Sequence, residues 1–324
     1  MDKEEREQLE SNLLNVVFAS KDLTDSDAAA LERELKRDPN NTEAHLSLFG
    51  YHTRTKNKVK LRPIVVREIL WIIENLGTVS APHMLSTLAT RLRPKEFAIA
   101  RERWLALIEQ HSENANVAGN AGYFIIWFDY ETGERQLRQA GRLDPGDIRW
   151  SSRYAQFSLF EFRYCADIFK EEFAKKTIAA ALHSLSIEPI GSISHFAHLE
   201  IAECALFLND LDLVGYSAEQ LSYDSYGPLI QYSNCLYGLI AVRTGNIKDA
   251  SEYLLKLDKG FIWQTCVRWL AEELLAAGER KSVAMAIQNL TSARKIRKAI
   301  GTKWLQQVKD GEKPSFEDLP GNWY

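Results

Sequence analysis

Apolar side chains recur along this chain at intervals of three and four, the spacing that lays them on one face of a helix. Ile64, Val65, Ile69, Ile72 and Ile73 mark one such face, and Phe97, Trp104, Leu105 and Ile108 mark another. Read this way, the pattern predicts helices over 3–19, 25–37, 42–54, 61–76, 82–92, 95–111, 115–128, 131–142, 147–164, 170–186, 192–208, 211–223, 228–244, 247–257, 262–277, 280–290 and 293–308. Nine prolines and 17 glycines in 324 residues are sparse punctuation, which also favours helices over a turn-rich β-fold.

The breaks between helices repeat a device. Asp38-Pro39, Asp144-Pro145 and Glu188-Pro189 each stand between one amphipathic stretch and the next. Proline removes a backbone donor and restrains φ, so it closes one helix and lets another open. The stretch ahead of Pro145 resembles a tetratricopeptide repeat, through Ala121 and Phe124 in a first helix, then Gly133, Leu137 and Ala140 in a second. Val117 and Asn120 depart from that pattern, which has Trp and Leu there.

The C-terminal half carries the resemblance more regularly. Tyr237-Gly238, Gly245-Asn246, Ala250, Leu254 and Leu257 form one copy. Leu270-Ala271, Leu274, Gly278, Val283, Ile287 and Leu290 form the next, and Gly245 and Gly278 stand 33 residues apart. Cys204, Cys235 and Cys266 follow at intervals of 31 and read as small core fillers. Small residues let the helices of one hairpin approach, and bulky ones fill the space against the next hairpin. One hairpin cannot cover its own apolar face, so several must stack. The resemblance therefore implies an all-α fold, a right-handed α-α superhelix of stacked hairpins over residues 1–308. It is clearest over 114–145 and 228–290 and irregular over 56–112. An extended tail is expected over 309–324, where Phe316, Leu319, Trp323 and Tyr324 are apolar enough to pack on the array or on another copy.

Charge narrows the function classes. With 40 basic and 44 acidic residues the net charge is −4, which offers no general attraction to nucleic acid or anionic membranes. The charged start Met1–Glu7 has no apolar segment behind it, and no run is long enough to span a membrane. The four cysteines lack CxxC spacing, so free thiols and a cytoplasmic setting are expected. Two basic clusters, Arg54, Lys56, Lys58, Lys60, Arg62 and Arg67, then Arg294, Lys295, Arg297, Lys298, Lys303 and Lys309, have the spacing of solvated helix faces. Nucleic acid is not the expected partner.

Candidate chemistry is thin. His195 and His198 share a helical face near Glu200, but a zincin needs His-Glu-x-x-His with the glutamate between the histidines. No metal or cofactor is expected. No nucleophile elbow or phosphate loop appears, and the chain is expected to be no enzyme. His45 and His52 stand where the repeat family places packing aromatics. The resemblance implies a concave surface lined by first helices, where Gly119, Gly122, Ile126, Glu200, Glu203 and Leu239 would face a peptide or partner helix. The glutamates there would select a basic residue. The reading is a non-catalytic scaffold for a protein partner. The alternatives are a peptide- or ligand-sensing regulator or, further off, an enzyme subunit.

Overall fold

Several helices start where a side chain can take the backbone N–H bonds their ends leave open, as Thr24, Asn114, Asp129, Asp210, Asn246 and Glu279 do. The computed structural model describes residues 3–54, 62–79, 89, 92–223, 227–257, 265–293 and 296–314. Its helices are α1 (Lys3–Ala19), α2 (Asp25–Arg37), α3 (Thr42–Arg54), α4 (Arg62–Leu76), α5 (Pro94–Gln110), α6 (Ala115–Ile125), α7 (Tyr130–Leu143) and α8 (Ile148–Tyr164). Then come α9 (Asp167–Ile187), α10 (Ser192–Leu208), α11 (Leu211–Ser222), α12 (Gly227–Arg243), α13 (Ile247–Lys256), α14 (Thr265–Ala276), α15 (Arg280–Ser292) and α16 (Lys298–Asp310). The described residues contain no strand. The helix expected over 82–92 lies outside the described residues, apart from Ala89 and Leu92. The chain divides into two compact units, Met1–Tyr154 and Ala155–Tyr324.

In the first unit, α6 and α7 form the closest hairpin. A Cβ placed on Gly133 would lie 2.4 Å from the Ile126 Cβ and 2.6 Å from its backbone nitrogen, so only glycine allows this crossing. Asp129 caps α7, accepting from the Thr132 N–H at 3.1 Å, and Arg101 of α5 pairs with the same carboxylate at 2.8 Å. The core joins α1, α3, α4, α5 and α6 through Phe49, Ile69, Ile72, Ile73, Trp104 and Phe124. Asn120, a departure from the repeat pattern, is fully buried. Its amide donates to the carbonyls of Gly77 and Val79, at 3.2 and 2.7 Å, where the chain leaves α4. An irregular neighbour with open carbonyls thus needs a donor where a regular repeat has leucine.

The second unit shows the repeat plainly. Three turns share one design: a residue in the left-handed region followed by a side chain that caps the next helix. Asn209, Gly245 and Gly278 have φ of 57°, 84° and 86°. The Asp210, Asn246 and Glu279 that follow accept from the N–H of Leu213, Asp249 and Ser282. In each turn the capping residue's own N–H reaches back to the preceding helix, onto the carbonyls of Ala205, Ala241 and Leu274 at 2.8–2.9 Å. This is the bond that closes a Schellman motif. Helix α12 packs on α13 and on α14, and α13 on α15, the contacts of one hairpin stacked on the next. The Cys235 and Cys266 thiols hydrogen-bond across α12 and α14, both fully buried, so their 31-residue spacing is the register of that stack. At the end of the chain α16 runs to Asp310 rather than 308. Lys313 then pairs with Glu272 of α14 at 3.0 Å. Residues 315–324, which held the apolar tail positions, lie outside the described residues.

Two glycines of α7 should respond oppositely to alanine. At Gly141 the nearest outside atom to a Cβ is 4.0 Å away, so Gly141→Ala is expected to stabilise by about 0.5–1 kcal/mol from helix propensity alone. Gly133→Ala is expected to destabilise by roughly 1–3 kcal/mol through overpacking. Chemical denaturation of the two variants reads both signs.

Candidate functional site

Helix α10 inverts the usual order of burial. Phe196, Glu200, Glu203 and Phe207 fall at intervals of four, three and four, so they share one stripe of the helix. Its two phenylalanines are 51% and 47% exposed, whereas Glu200 and Glu203 are 7% and 3% exposed. Buried carboxylates need a partner. Arg163 of α8 supplies one to Glu203, donating from Nε at 2.7 Å and from Nη2 to the second oxygen. A guanidinium fork against a carboxylate is the geometry that best compensates burial of both.

Arg163 reaches this point because its neighbours anchor α8. Leu159 and Phe162 sink into a cluster with Ala174 of α9 and Cys204 of α10, and the Phe162 ring meets the edge of Phe207 at 5.2 Å. On the same helix Phe160 and Tyr164 stay exposed, their rings 4.6 Å apart.

Glu200 makes no hydrogen bond with the described residues. Burial pushes its carboxyl up to about 8, with Arg163 pulling it down and the charge of Glu203 pushing it up. At neutral pH it is therefore mostly protonated. Beneath it, burial and the neighbouring carboxylates raise the Cys204 thiol, which hydrogen-bonds with Thr177 of α9. No thiolate forms there.

The two histidines of α10 do not complete a metal site with Glu200. His198 is buried with its ring edge-on to Tyr216 at 5.5 Å, and burial, with the charge of His195, lowers it to about 4. Among the described residues no three His, Cys, Asp or Glu side chains are grouped to hold a metal ion.

The six positions expected to face a partner are all buried. Gly119 lies under the Trp150 ring, where a Cβ would come within 2.1 Å of it. Gly122 faces Leu137, and Ile126 covers Gly133, so these three hold the α6–α7 hairpin and α8 together. Leu239 is in the core of the second unit. Only Glu200 and Glu203 come together, on α10. A glycine that admits a neighbouring helix looks the same in sequence as one that admits a ligand. Arg163, Phe196, Phe207, Phe160 and Tyr164 were missed. For the three on α8 the signal was the aromatic and charged run Phe160-Glu161-Phe162-Arg163-Tyr164.

The other expected polar sites are internal. His45 stacks on Trp71 with ring centroids 3.8 Å apart, bonds Glu68 through Nδ1, and meets the Pro39 carbonyl through Nε2 at 2.9 Å. His52 is buried edge-on to Tyr51 at 4.9 Å, and that burial lowers it. Arg67, from the first basic cluster, bridges Glu32 and Glu68. Lys56, Lys58, Lys60, Arg294 and Lys295 lie outside the described residues.

No family model matches the sequence, and no curated protein does. A solved structure matches the fold. It is the human IFIT1 dimer with m7Gppp-AAAA, at TM-score 0.50 and 13% identity, over 87% of this chain and 67% of that one. IFIT1 is a tetratricopeptide-containing helical solenoid, so the all-α architecture of paired helices stands on that match as well as on the coordinates. Among the described residues no helix is long and apolar enough to cross a membrane.

The buried Glu200 carboxyl makes a prediction about stability. Its folded value is raised above the unfolded one, so the unfolded chain ionises first as pH rises from about 4.5, and stability falls until the folded carboxyl also ionises near 8. Glu200→Gln removes that loss. The variant should match wild type at pH 4.5 and exceed it at pH 8 by on the order of a few kcal/mol. Thermal unfolding across this range measures the difference.

Proposed function

We propose that this chain is a non-catalytic scaffold of tetratricopeptide-like hairpins that binds a protein or peptide partner. The observation that carries the reading is the exposed apolar set where α8 turns into α9. Phe160, Tyr164, Ile168 and Phe169 are exposed there by 44%, 66%, 82% and 49%, within ten residues of sequence. Clustered exposed aromatics on a well-packed helical frame are the ordinary sign of an interaction surface, because water leaves such a patch at a gain when a partner covers it.

The frame suits that role. Stacked hairpins hold helix faces in fixed register, and partner helices or extended segments dock on such faces through a few apolar anchors. Supporting the non-catalytic part, several buried titratable groups that the structure describes are engaged within the fold. Arg163 is taken by Glu203, His45 by Glu68 and the Pro39 carbonyl, and the Cys235 thiol by Cys266.

Human IFIT1 was solved with m7Gppp-AAAA, so a ribonucleotide is the competing occupant to be tested on the same frame. The triple variant Phe160→Ser, Tyr164→Ser, Ile168→Ser should keep its thermal midpoint, since exposed positions cost within about 0.5 kcal/mol each. The wild-type chain, used as bait, should hold a protein at fixed stoichiometry by size-exclusion with light scattering, and the triple variant should release it. Equal retention by both chains would remove this surface from the reading. Binding of m7Gppp-AAAA at physiological salt, with no protein held, would replace the reading.

A further inference from the structure

Glu200 is placed where a chain folding for stability alone has little reason to put a carboxylate. It is more than nine-tenths buried, and it makes no hydrogen bond with the described residues. Arg163, the cation beside it, already gives both its bonds in that direction to Glu203. One guanidinium thus faces two carboxyl groups, and among the described residues its fork closes on Glu203 while Glu200 feels only its charge. The cluster still opens to solvent through the Arg163 side chain, 24% exposed. Phe196 and Phe207 stand exposed at the two ends of the same stripe, and Phe160 and Tyr164 stand beside Arg163 on α8. A carboxyl on the same helix stripe as exposed aromatic rings is the chemistry that takes up a flat cation, whose charge meets the oxygen and whose face can lie against a ring.

We propose that the α10 stripe Phe196–Glu200–Glu203–Phe207 is a docking site for an arginine side chain of a partner segment, with its guanidinium bonded to Glu200. This rests on the scaffold reading and names the partner's chemistry. Charge complementarity chooses the occupant. An apolar side chain would leave the Glu200 carboxyl buried and unbonded, and an acidic one would meet two carboxyl groups. A lysine ammonium satisfies the charge but offers no plane to the rings.

Docking carries a proton with it. The groups acting on Glu200 are Arg163 from α8 and Glu203 on its own helix, with the Cys204 thiol of α10 and the Thr177 hydroxyl of α9 adjoining them. The incoming guanidinium adds a cation bonded directly to Glu200, beyond the charge of Arg163, so it binds the ionised carboxylate and releases the proton Glu200 holds at neutral pH. Affinity should therefore rise with pH, by roughly tenfold per unit up to the region near 8 and little beyond it.

The test uses the full chain and two capped tripeptides, acetyl-Leu-Arg-Leu-amide and its citrulline counterpart, which has nearly the same shape without the charge. Ligand-observed NMR titration at pH 6, 7 and 8 should show the arginine peptide binding at least tenfold more tightly than the citrulline peptide at pH 8, with the preference shrinking at pH 6. Glu200→Gln, which keeps the shape and hydrogen-bonding capacity of the protonated side chain, should remove both the preference and the pH dependence while remaining folded by circular dichroism. Phe196→Ser should weaken the arginine peptide severalfold and leave the pH dependence in place. Equal binding of the two peptides, no detectable binding of either, or an unchanged preference in Glu200→Gln would overturn the proposal. A wild-type chain that holds a stoichiometric protein yet shows no arginine preference removes this inference alone and leaves the scaffold standing.

Discussion

A helical hairpin has two apolar faces' worth of side chains and only one interface of its own in which to hide them. Both units of this chain are shaped by that shortage. The helices of a pair must come close enough to leave no void between them, and the remaining apolar face must then be covered by a further pair. Gly133 against Ile126 meets the first requirement by removing a side chain at the crossing. Cys235 against Cys266 meets the second, one small residue per hairpin at the level where two first helices touch. Dense packing makes these positions intolerant of volume, which is why the small residues recur while their neighbours vary.

The same constraint decides what is left for function. Once the apolar faces are used, polar groups caught inside must find one another, and several do. Asn120 serves the carbonyls of Gly77 and Val79, His45 lies between Glu68 and Pro39, and Arg163 holds Glu203. Glu200, buried and without a hydrogen bond to the described residues, stands on the stripe where the hydrophobic side chains are outside and the acidic ones inside. Its burial cost shows as a carboxyl that keeps its proton near neutrality. A group held out of its preferred state by the apo fold is one that a cation can restore.

Much of the architecture was legible because it rests on local chemistry. Helix limits followed from three- and four-residue periodicity and from caps. Asp210, Asn246 and Glu279 each follow a residue able to adopt positive φ, a signal contained in a few consecutive residues. The cysteine period carried over in part: Cys235 and Cys266 meet once their hairpins stack, while Cys204 lies in a separate cluster with Leu159, Phe162 and Ala174. The candidate site was read less well. Glu200 and Glu203 were named, but the residue that engages Glu203 lies forty positions earlier, in a helix the repeat pattern did not describe. The glycines chosen as groove positions turned out to be crossing points inside hairpins.

The sequence by itself determined that the chain is helical, where most helices begin and end, and which small residues set the spacing of the C-terminal hairpins. These depend on backbone sterics, capping and periodicity, which act over a few residues. Only the tertiary structure decided which glycines face helices, that Arg163 closes its fork on Glu203 and not on Glu200, and that aromatic rings remain outside while carboxyl groups go in. Those outcomes turn on which helix arrives at which face. Burial and charge pairing between distant segments exist only after the helices have met.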